Sequence, residues 1–287
     1  MTVENFLQIS WNQIALQSFY SSCLTFILYI LPGWTIVTLC FNDQHLNWRE
    51  RIGLAAALGV AIYPILILWF YLIGIQPGPL LAPVLVILSL LILFFLRRNN
   101  KQSRKSLHFT LGSLDIAFII ISGLLVITRI AAIREMIAPA WGDSVHHTLI
   151  VQLLLDHWGL FQSWAPYAPM TTFTYHFGFH IVVAMWAFLT GMNAAQSVLL
   201  VAQVINVLAI LALYPLTTRL TRGNQWAGIF ALLVAGLWSS MPAYYVNWGR
   251  YTQLTGQVCL PAFLWTLDLY LDSKSVYQRR YLIPMTI

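Results

Sequence analysis

Along this chain apolar residues come in continuous runs and do not alternate with polar ones. Runs long enough to cross a bilayer occupy residues 14–40, 52–73, 80–96, 114–133, 194–216, 226–245 and 258–271. In hydrocarbon every backbone N–H and C=O must be bonded within the protein, so an unbroken apolar run of about 20 residues becomes a helix. The pattern predicts an all-α integral membrane protein with about seven transmembrane helices. One further run, 177–192, contains His180 and has only a short uninterrupted apolar part. Runs of about 10–14 residues are more often interfacial or re-entrant than spanning.

Basic residues decide between the two readings of 177–192, because Lys and Arg accumulate in cytoplasmic loops. If 177–192 does not span, all 15 Lys and Arg except Arg129, Arg134 and Arg250 fall on the cytoplasmic side. If it spans, Arg219, Arg222, Lys274, Arg279 and Arg280 move outside, Arg250 moves inside, and the asymmetry vanishes. The first topology is therefore expected, with the N-terminus outside. It leaves a long outer loop, 134–193, and a second outer segment, 241–257. Asp143 to Trp158 reads as one helix of the long loop, with Gly159 as its stop and Pro166 and Pro169 breaking the chain before a second. Both are expected to lie along the membrane surface.

Composition agrees with this class. Hydrophobic residues make up 59% of the chain and charged residues 8%, against roughly a quarter charged in soluble domains. The net charge of +6 sits in short loops that meet anionic lipid, so nucleic acid is not an expected partner. Cys23, Cys40 and Cys259 lie in or beside apolar runs and have no metal-type spacing. Met1 to Asn12 lacks the positive segment of a cleavable signal peptide. Tyr281 to Ile287 reads as the start of another span, so a longer natural chain is expected. The expected location is the plasma membrane, multi-pass.

The nine acidic residues are few enough to weigh one by one. Glu50, Asp115, Asp268 and Asp272 stand near cytoplasmic ends and read as solvated or headgroup-level charge. Asp143, in Trp141-Gly-Asp-Ser-Val-His-His147, has two readings. It is a helix N-cap, a position that favours Asp. It is also a candidate catalytic carboxylate, with His146 and His147 three and four residues on and on its face of the helix. His176 and His180 are four apart, a spacing that suits a metal on one helix face, but interfacial hydrogen bonding is the plainer reading for a bare pair. No metal site is assigned. Arg129, in the outer part of the fourth span, either snorkels or binds a phosphate. Arg250, beside Trp248 and Tyr251, is a belt anchor or a phosphate fork. Gln253 and Gln257 offer hydrogen bonds to hydroxyls.

An early outer Asp, then outer helices with an aromatic–His stretch, then further apolar spans resembles the GT-C membrane glycosyltransferases. In that superfamily the first large outer loop carries the catalytic acid, and Gly142-Asp143-Ser144 with His146 and His147 stands at its position. Tyr175-His-Phe-Gly-Phe-His180 is similar to the aromatic–Pro–Gly–His stretch that often follows, with Phe177 where proline is usual. The resemblance covers residues 114–287, leaving 1–113 as a three-helix N-terminal addition. It implies transfer of a sugar from a polyprenyl-phosphate donor to an outer acceptor, with inversion. Asp143 would be the general base, assisted by His146 and His147. Arg129, Arg250, Tyr251, Gln253, Tyr175, His176 and His180 would bind substrate. No cofactor is fixed; some members use a divalent metal, and the second outer acid common in those is absent from 241–257. Membrane lipids are the other expected partners. A secondary transporter and a non-catalytic assembly component are the alternatives.

Overall fold

A computed structural model describes residues 3–41, 44–99, 111–173 and 175–272, with side chains from residue 12 onward. Lys101, Arg104, Lys105, Lys274, Arg279, Arg280 and the 281–287 stretch lie outside the described residues. The described residues form helices and no strands: α1 Val3–Thr25, α2 Leu31–Cys40, α3 Trp48–Leu72, α4 Leu81–Asn99, α5 Ser113–Ala132, α6 Gly142–Asp156, α7 Gly178–Thr190, α8 Ala194–Leu211, α9 Leu213–Leu220, α10 Gln225–Leu233, α11 Ala243–Asn247 and α12 Tyr251–Asp272.

Six stretches are long and apolar enough to cross a membrane: Asn12–Cys40, Trp48–Leu72, Gly78–Asn99, Ser113–Ala132, Ala194–Leu220 and Gln225–Asn247. The expected seventh lies in α12. That helix has 22 residues, a length that spans hydrocarbon. Its first turns hold Thr252, Gln253, Thr255 and Gln257 and its last turn Asp268 and Asp272, so it is not among the six.

Cross-contacts sort the helix ends into two sets. At one end Arg49 of α3 bonds to Asp115 of α5, to Tyr214 of α9 at 3.0 Å and to Gln225 at the start of α10, and Arg219 pairs with Asp268 and, at 2.8 Å, with Asp272. The expectation of solvated acids there is corrected for Asp115, which is 14% exposed, while Asp268 and Asp272 are 40% and 73% exposed. Asp115 also accepts from the Trp48 indole N–H at 2.7 Å, while Glu50 serves a capping box with Asn47 at the start of α3. Here the acids neutralise arginines that pin neighbouring helices together. At the opposite end, the one expected to face outside, the turn after α3 is tied to the long loop: Gly78 N–H donates to the Trp158 carbonyl at 2.9 Å and the Gln76 amide to the Leu160 carbonyl at 2.8 Å.

This sorting fixes the path of 177–192. α6 and the start of α7 are at the outer end, and α8 with α9 runs from there to the Arg219 end, so α7 does not cross. It is not a surface helix either. Phe179 to Ala187 are all buried, enclosed by α3, α4, α6, α8 and α12. An all-apolar helix is stable in such a seat, because no face has to meet water. α6 is one-sided, with Ser144, His147, Ile150, Val151, Leu153 and Leu154 turned inward.

One buried core joins the helices before and after residue 113. The first span meets α3 backbone to backbone. A Cβ on Gly33 would sit 1.9 Å from the Ala55 carbonyl oxygen, and one on Gly59 1.7 Å from that of Tyr29. Small residues permit such contact between membrane helices, where dispersion and not water drives packing. Between α1 and α2 a π-turn, Phe26–Ile30, interrupts the regular ladder, and the Leu28 carbonyl accepts from Tyr63 at 2.8 Å. Tyr29 donates to the Val182 carbonyl at 3.0 Å and stacks on Trp186, anchoring α7.

Candidate functional site

The outer end holds a cleft of about 430 Å³ lined by Asp143, His146, His147, Ile150, Trp164, Met170, Thr172, Tyr175 and Arg250. Three segments build it: the first turns of α6, the loop between α6 and α7, and the turn between α11 and α12. The α6 helix starts at Gly142 after Trp141, which has a positive φ of 75° and makes no capping bond. Asp143 is therefore in the first turn and is not the N-cap. A carboxylate there is favoured by the helix dipole and leaves its oxygens free for other partners. Its Oδ2 lies 4.0 Å from Nη1 of Arg250, and each side chain is about half exposed (48% and 53%).

The α11–α12 turn reaches α6 through Gly249. Its φ is +66°, and a Cβ there would stand 3.0 Å from Ser144 Oγ, 3.1 Å from Asp143 Cβ and 3.2 Å from Ser144 N. Only glycine lets the turn lie this close. Beneath it Ser144 Oγ and Tyr251 OH are 2.7 Å apart, and Ser144 donates to the Ala140 carbonyl. Tyr251 is thus a buried strut, 1% exposed, and does not line the cleft; the expected role in substrate binding is corrected. Phe179 stacks on its ring at 5.0 Å.

His147 forms the floor. One ring nitrogen, Nδ1, lies 2.9 Å from Nε2 of His180, which is fully buried. Burial pushes the His147 pKa below its ordinary value, partly offset by the Gly249 carbonyl and Asp143. Burial, then the neighbouring His147, hold His180 well below the usual imidazole range. Both rings are neutral near pH 7, so His147 can accept or pass a proton without carrying a standing charge.

Other expected positions fall elsewhere. Because α7 begins at Gly178, His176 precedes it and shares no helix face with His180; it is exposed and stacks on Tyr175 at 3.9 Å. His180 supports the site from behind. Gln253 is exposed on α12 and Gln257 partly so, and neither lines the cleft. Arg129 is inside the bundle, donating to Asn206 Oδ1 at 2.7 Å and to the Gly236 carbonyl at 2.8 Å. It lies outside the Arg250 cleft because its partners hold it between α5, α8 and the π-turn Val234–Trp238. No cluster of three or more His, Cys, Asp and Glu suited to a metal occurs among the described residues. The nearest donors are Asp143, His146 and His147.

Ile150, Trp164, Met170 and Thr172 complete the cleft and were not among the expected positions. Trp164 is fixed by its own loop: its indole N–H donates to the Thr172 carbonyl at 2.8 Å, its backbone N–H to Met170 at 2.9 Å, and Phe161 and Phe173 pack on its ring. The aromatic density of 157–177 was the available signal. No curated protein and no solved structure was found to match the chain. A family profile, described as a family of unknown function (DUF6541), matches residues 26–287, from the first span through the whole of the outer loop and α12, and the chain belongs to that family.

Proposed function

We propose that the protein is a membrane glycosyltransferase, taking a sugar from a polyprenyl-phosphate donor and placing it on an acceptor at the outer face. The observation that carries this reading is the pairing of a half-exposed carboxylate, Asp143, with a half-exposed guanidinium, Arg250, in one cleft at the outer end of the bundle. In the proposed step the acceptor hydroxyl oxygen attacks the anomeric carbon and its proton passes to Asp143. The bond from that carbon to the phosphate oxygen breaks, and the electron pair leaves with the phosphate. Arg250 stabilises that charge with its two-pronged donor edge. In-line displacement puts base and leaving group on opposite sides of the sugar. The phosphate therefore lies along the outward edge of Arg250, whose exposure leaves it free to turn. Neutral His147 holds the floor beside Asp143, and Tyr175 and Trp164 offer ring faces to the sugar.

The test is Asp143→Asn in the full-length protein, assayed with polyprenyl-phosphate sugars and candidate acceptors. A general base is worth about 10²–10⁴ in rate, so turnover should fall by at least 100-fold with an unchanged melting temperature. Arg250→Lys should raise the donor KM more than it lowers kcat. A normally folded Asp143→Asn protein that transfers at the unmodified rate refutes the assignment. Arg129, charged and inside the bundle, is what a secondary transporter would also hold; that alternative predicts solute uptake into proteoliposomes with no sugar transfer.

A further inference from the structure

The Asp143 cleft occupies only part of the outer end. Beside it, between the last turns of α3 and the loop joining α6 to α7, lies a larger cleft of about 550 Å³, a size usual for small-molecule sites. Leu68, Tyr71 and Leu72 supply one wall and residues of 160–177 the other. Thr172 and Tyr175 line both clefts, so the two lie on either side of one short segment of the loop. The loop wall is aromatic and braced from behind. Phe161 is buried and stacks on Phe173 at 4.6 Å, and Phe173 packs on Phe177 in turn. Two bonds join the walls: the Gln76 amide donates to the Leu160 carbonyl at 2.8 Å, and the Gln162 amide to the Tyr71 hydroxyl at 2.9 Å. The cleft therefore stands ready-made, and a ligand entering it does not have to order the loop.

The two clefts differ in chemistry. Asp143, His146, His147 and Arg250 line the first, whereas no charged side chain among the described residues lines the second. The polar residues of the second are Tyr71, Gln162, Thr171 and Thr172, and the last three are exposed, so a ligand can reach them. A phenol, a primary amide and a hydroxyl each donate and accept, as the hydroxyls of a sugar do, while a carboxylate or a guanidinium does only one. An aromatic ring presents a negative face, which attracts the polarised C–H groups of a sugar ring. A phosphate or another anion finds no cation in this lining. A hydrocarbon chain would strip water from the amide, phenol and hydroxyls without replacing their bonds. We propose that this cleft binds a neutral oligosaccharide, and that this oligosaccharide is the acceptor, its hydroxyl presented to Asp143 across the segment that Thr172 and Tyr175 share. The acceptor role rests on the reading of the Asp143 cleft given above; the binding does not.

Binding is tested without any donor. The full-length protein in phosphatidylcholine nanodiscs, which carry no sugar headgroup, would be titrated with maltotetraose, mannotetraose and galactotetraose, and with tetragalacturonate as a charged counterpart. Saturation transfer from the protein to the sugar C–H protons would report binding. At least one neutral tetrasaccharide should bind, and tetragalacturonate should bind roughly tenfold more weakly, because its carboxylates lose water and gain no cation. Gln162→Leu combined with Tyr71→Phe removes the amide and the phenol but keeps the apolar surface. Phe177→Leu removes a ring and keeps an apolar side chain. Both variants should fold, since the Gln162–Tyr71 bond is exposed and Phe177 is only partly buried. Each should bind the neutral sugar roughly tenfold more weakly. A hydrocarbon occupant predicts the reverse: co-purified lipid, counted by native mass spectrometry, stays bound in both variants, and no tetrasaccharide binds. That result overturns the proposal, as does tetragalacturonate binding as tightly as the neutral sugars, or neutral-sugar binding unchanged in both variants. In transfer assays the tetrasaccharide that binds should be extended; one that binds and is left unextended while another acceptor is extended overturns the acceptor role. Asp143→Asn transferring at the unmodified rate would remove the base and leave the sugar binding standing, so the two readings fail separately.

Discussion

Replacing Gly249 with alanine tests how tightly the two halves of the cleft are joined. Two costs are separable. The first is conformational, since an L-residue at φ +66° costs roughly 1–2 kcal/mol. The second is steric. The new Cβ meets Ser144 Oγ at 3.0 Å, Asp143 Cβ at 3.1 Å and Ser144 N at 3.2 Å. None of these atoms is the free end of a flexible chain. Ser144 Oγ is held by the Ala140 carbonyl and by Tyr251, and the other two belong to the first turn of α6. Overpacking of this kind costs about 1–3 kcal/mol. Gly191 supplies the control: it has φ +71° at the end of α7, with nothing within 4 Å of an added Cβ. Gly191→Ala should lose the conformational cost alone, and Gly249→Ala about 1–3 kcal/mol more. Both are measured by thermal and denaturant melting in one detergent. Gly249→Ala should also impair whatever reaction the cleft performs, because relief of the contact moves Asp143 away from Arg250. Equal losses in the two variants would show that the turn is not seated against α6, and the close approach would have to be abandoned.

Three other outcomes are expected. The buried His147 and His180 have folded pKa values below the ordinary imidazole value, so the unfolded chain binds more protons as the pH falls through about 6.5. Their contribution to stability is whole above that pH and is lost towards the folded pKa values; the melting temperature should fall between pH 7 and pH 5, less so in His180→Gln, and an identical slope in that variant would exclude the pair. Arg49→Gln should lower the melting temperature more than Arg219→Gln, because Arg49 is 8% exposed and serves three helices while the carboxylates held by Arg219 are 40% and 73% exposed; an exposed pair is worth about 1 kcal/mol or less. In a chain freed of Cys23, Cys40 and Cys259, a membrane-impermeant maleimide should label Tyr167→Cys from outside intact cells and Thr221→Cys only after lysis; labelling of both from one side would contradict the path of α7.

Much of the architecture could be read in advance because bilayer crossing is a local property of sequence. A run of about 20 apolar residues is sufficient by itself, and the asymmetry of Arg and Lys selected the path in which 177–192 does not cross. In α12 only the apolar part, 258–271, was legible that way, since its polar first turns and terminal acids depend on contacts with Ser144 and Arg219 that no local window contains. The same limit applies to the site. The order of Asp143, His147, Tyr175 and Arg250 along the chain was enough to select residues that converge on one cleft. That Tyr251 points inward beside Ser144, and that His180 turns to His147 and not to His176, follow from how α6, α7 and α12 pack. Arg129 shows the limit most plainly: its depth in α5 was visible, but Asn206 and Gly236, which decide where its guanidinium goes, lie on other helices.

The seat of α7 constrains the order in which the chain is assembled. A helix passed sideways from the translocation channel into lipid must tolerate lipid on its surface. α7 keeps none of its middle residues exposed and never crosses, so its place is prepared by others. Three of its walls, α3, α4 and α6, are synthesised before it, while α8 and α12 come after. Until Tyr251 arrives to cover Phe179, the seat lacks a side. Nascent chains halted before α12 therefore hold an apolar helix with one side unsheltered, and the cleft that Arg250 completes has not yet formed.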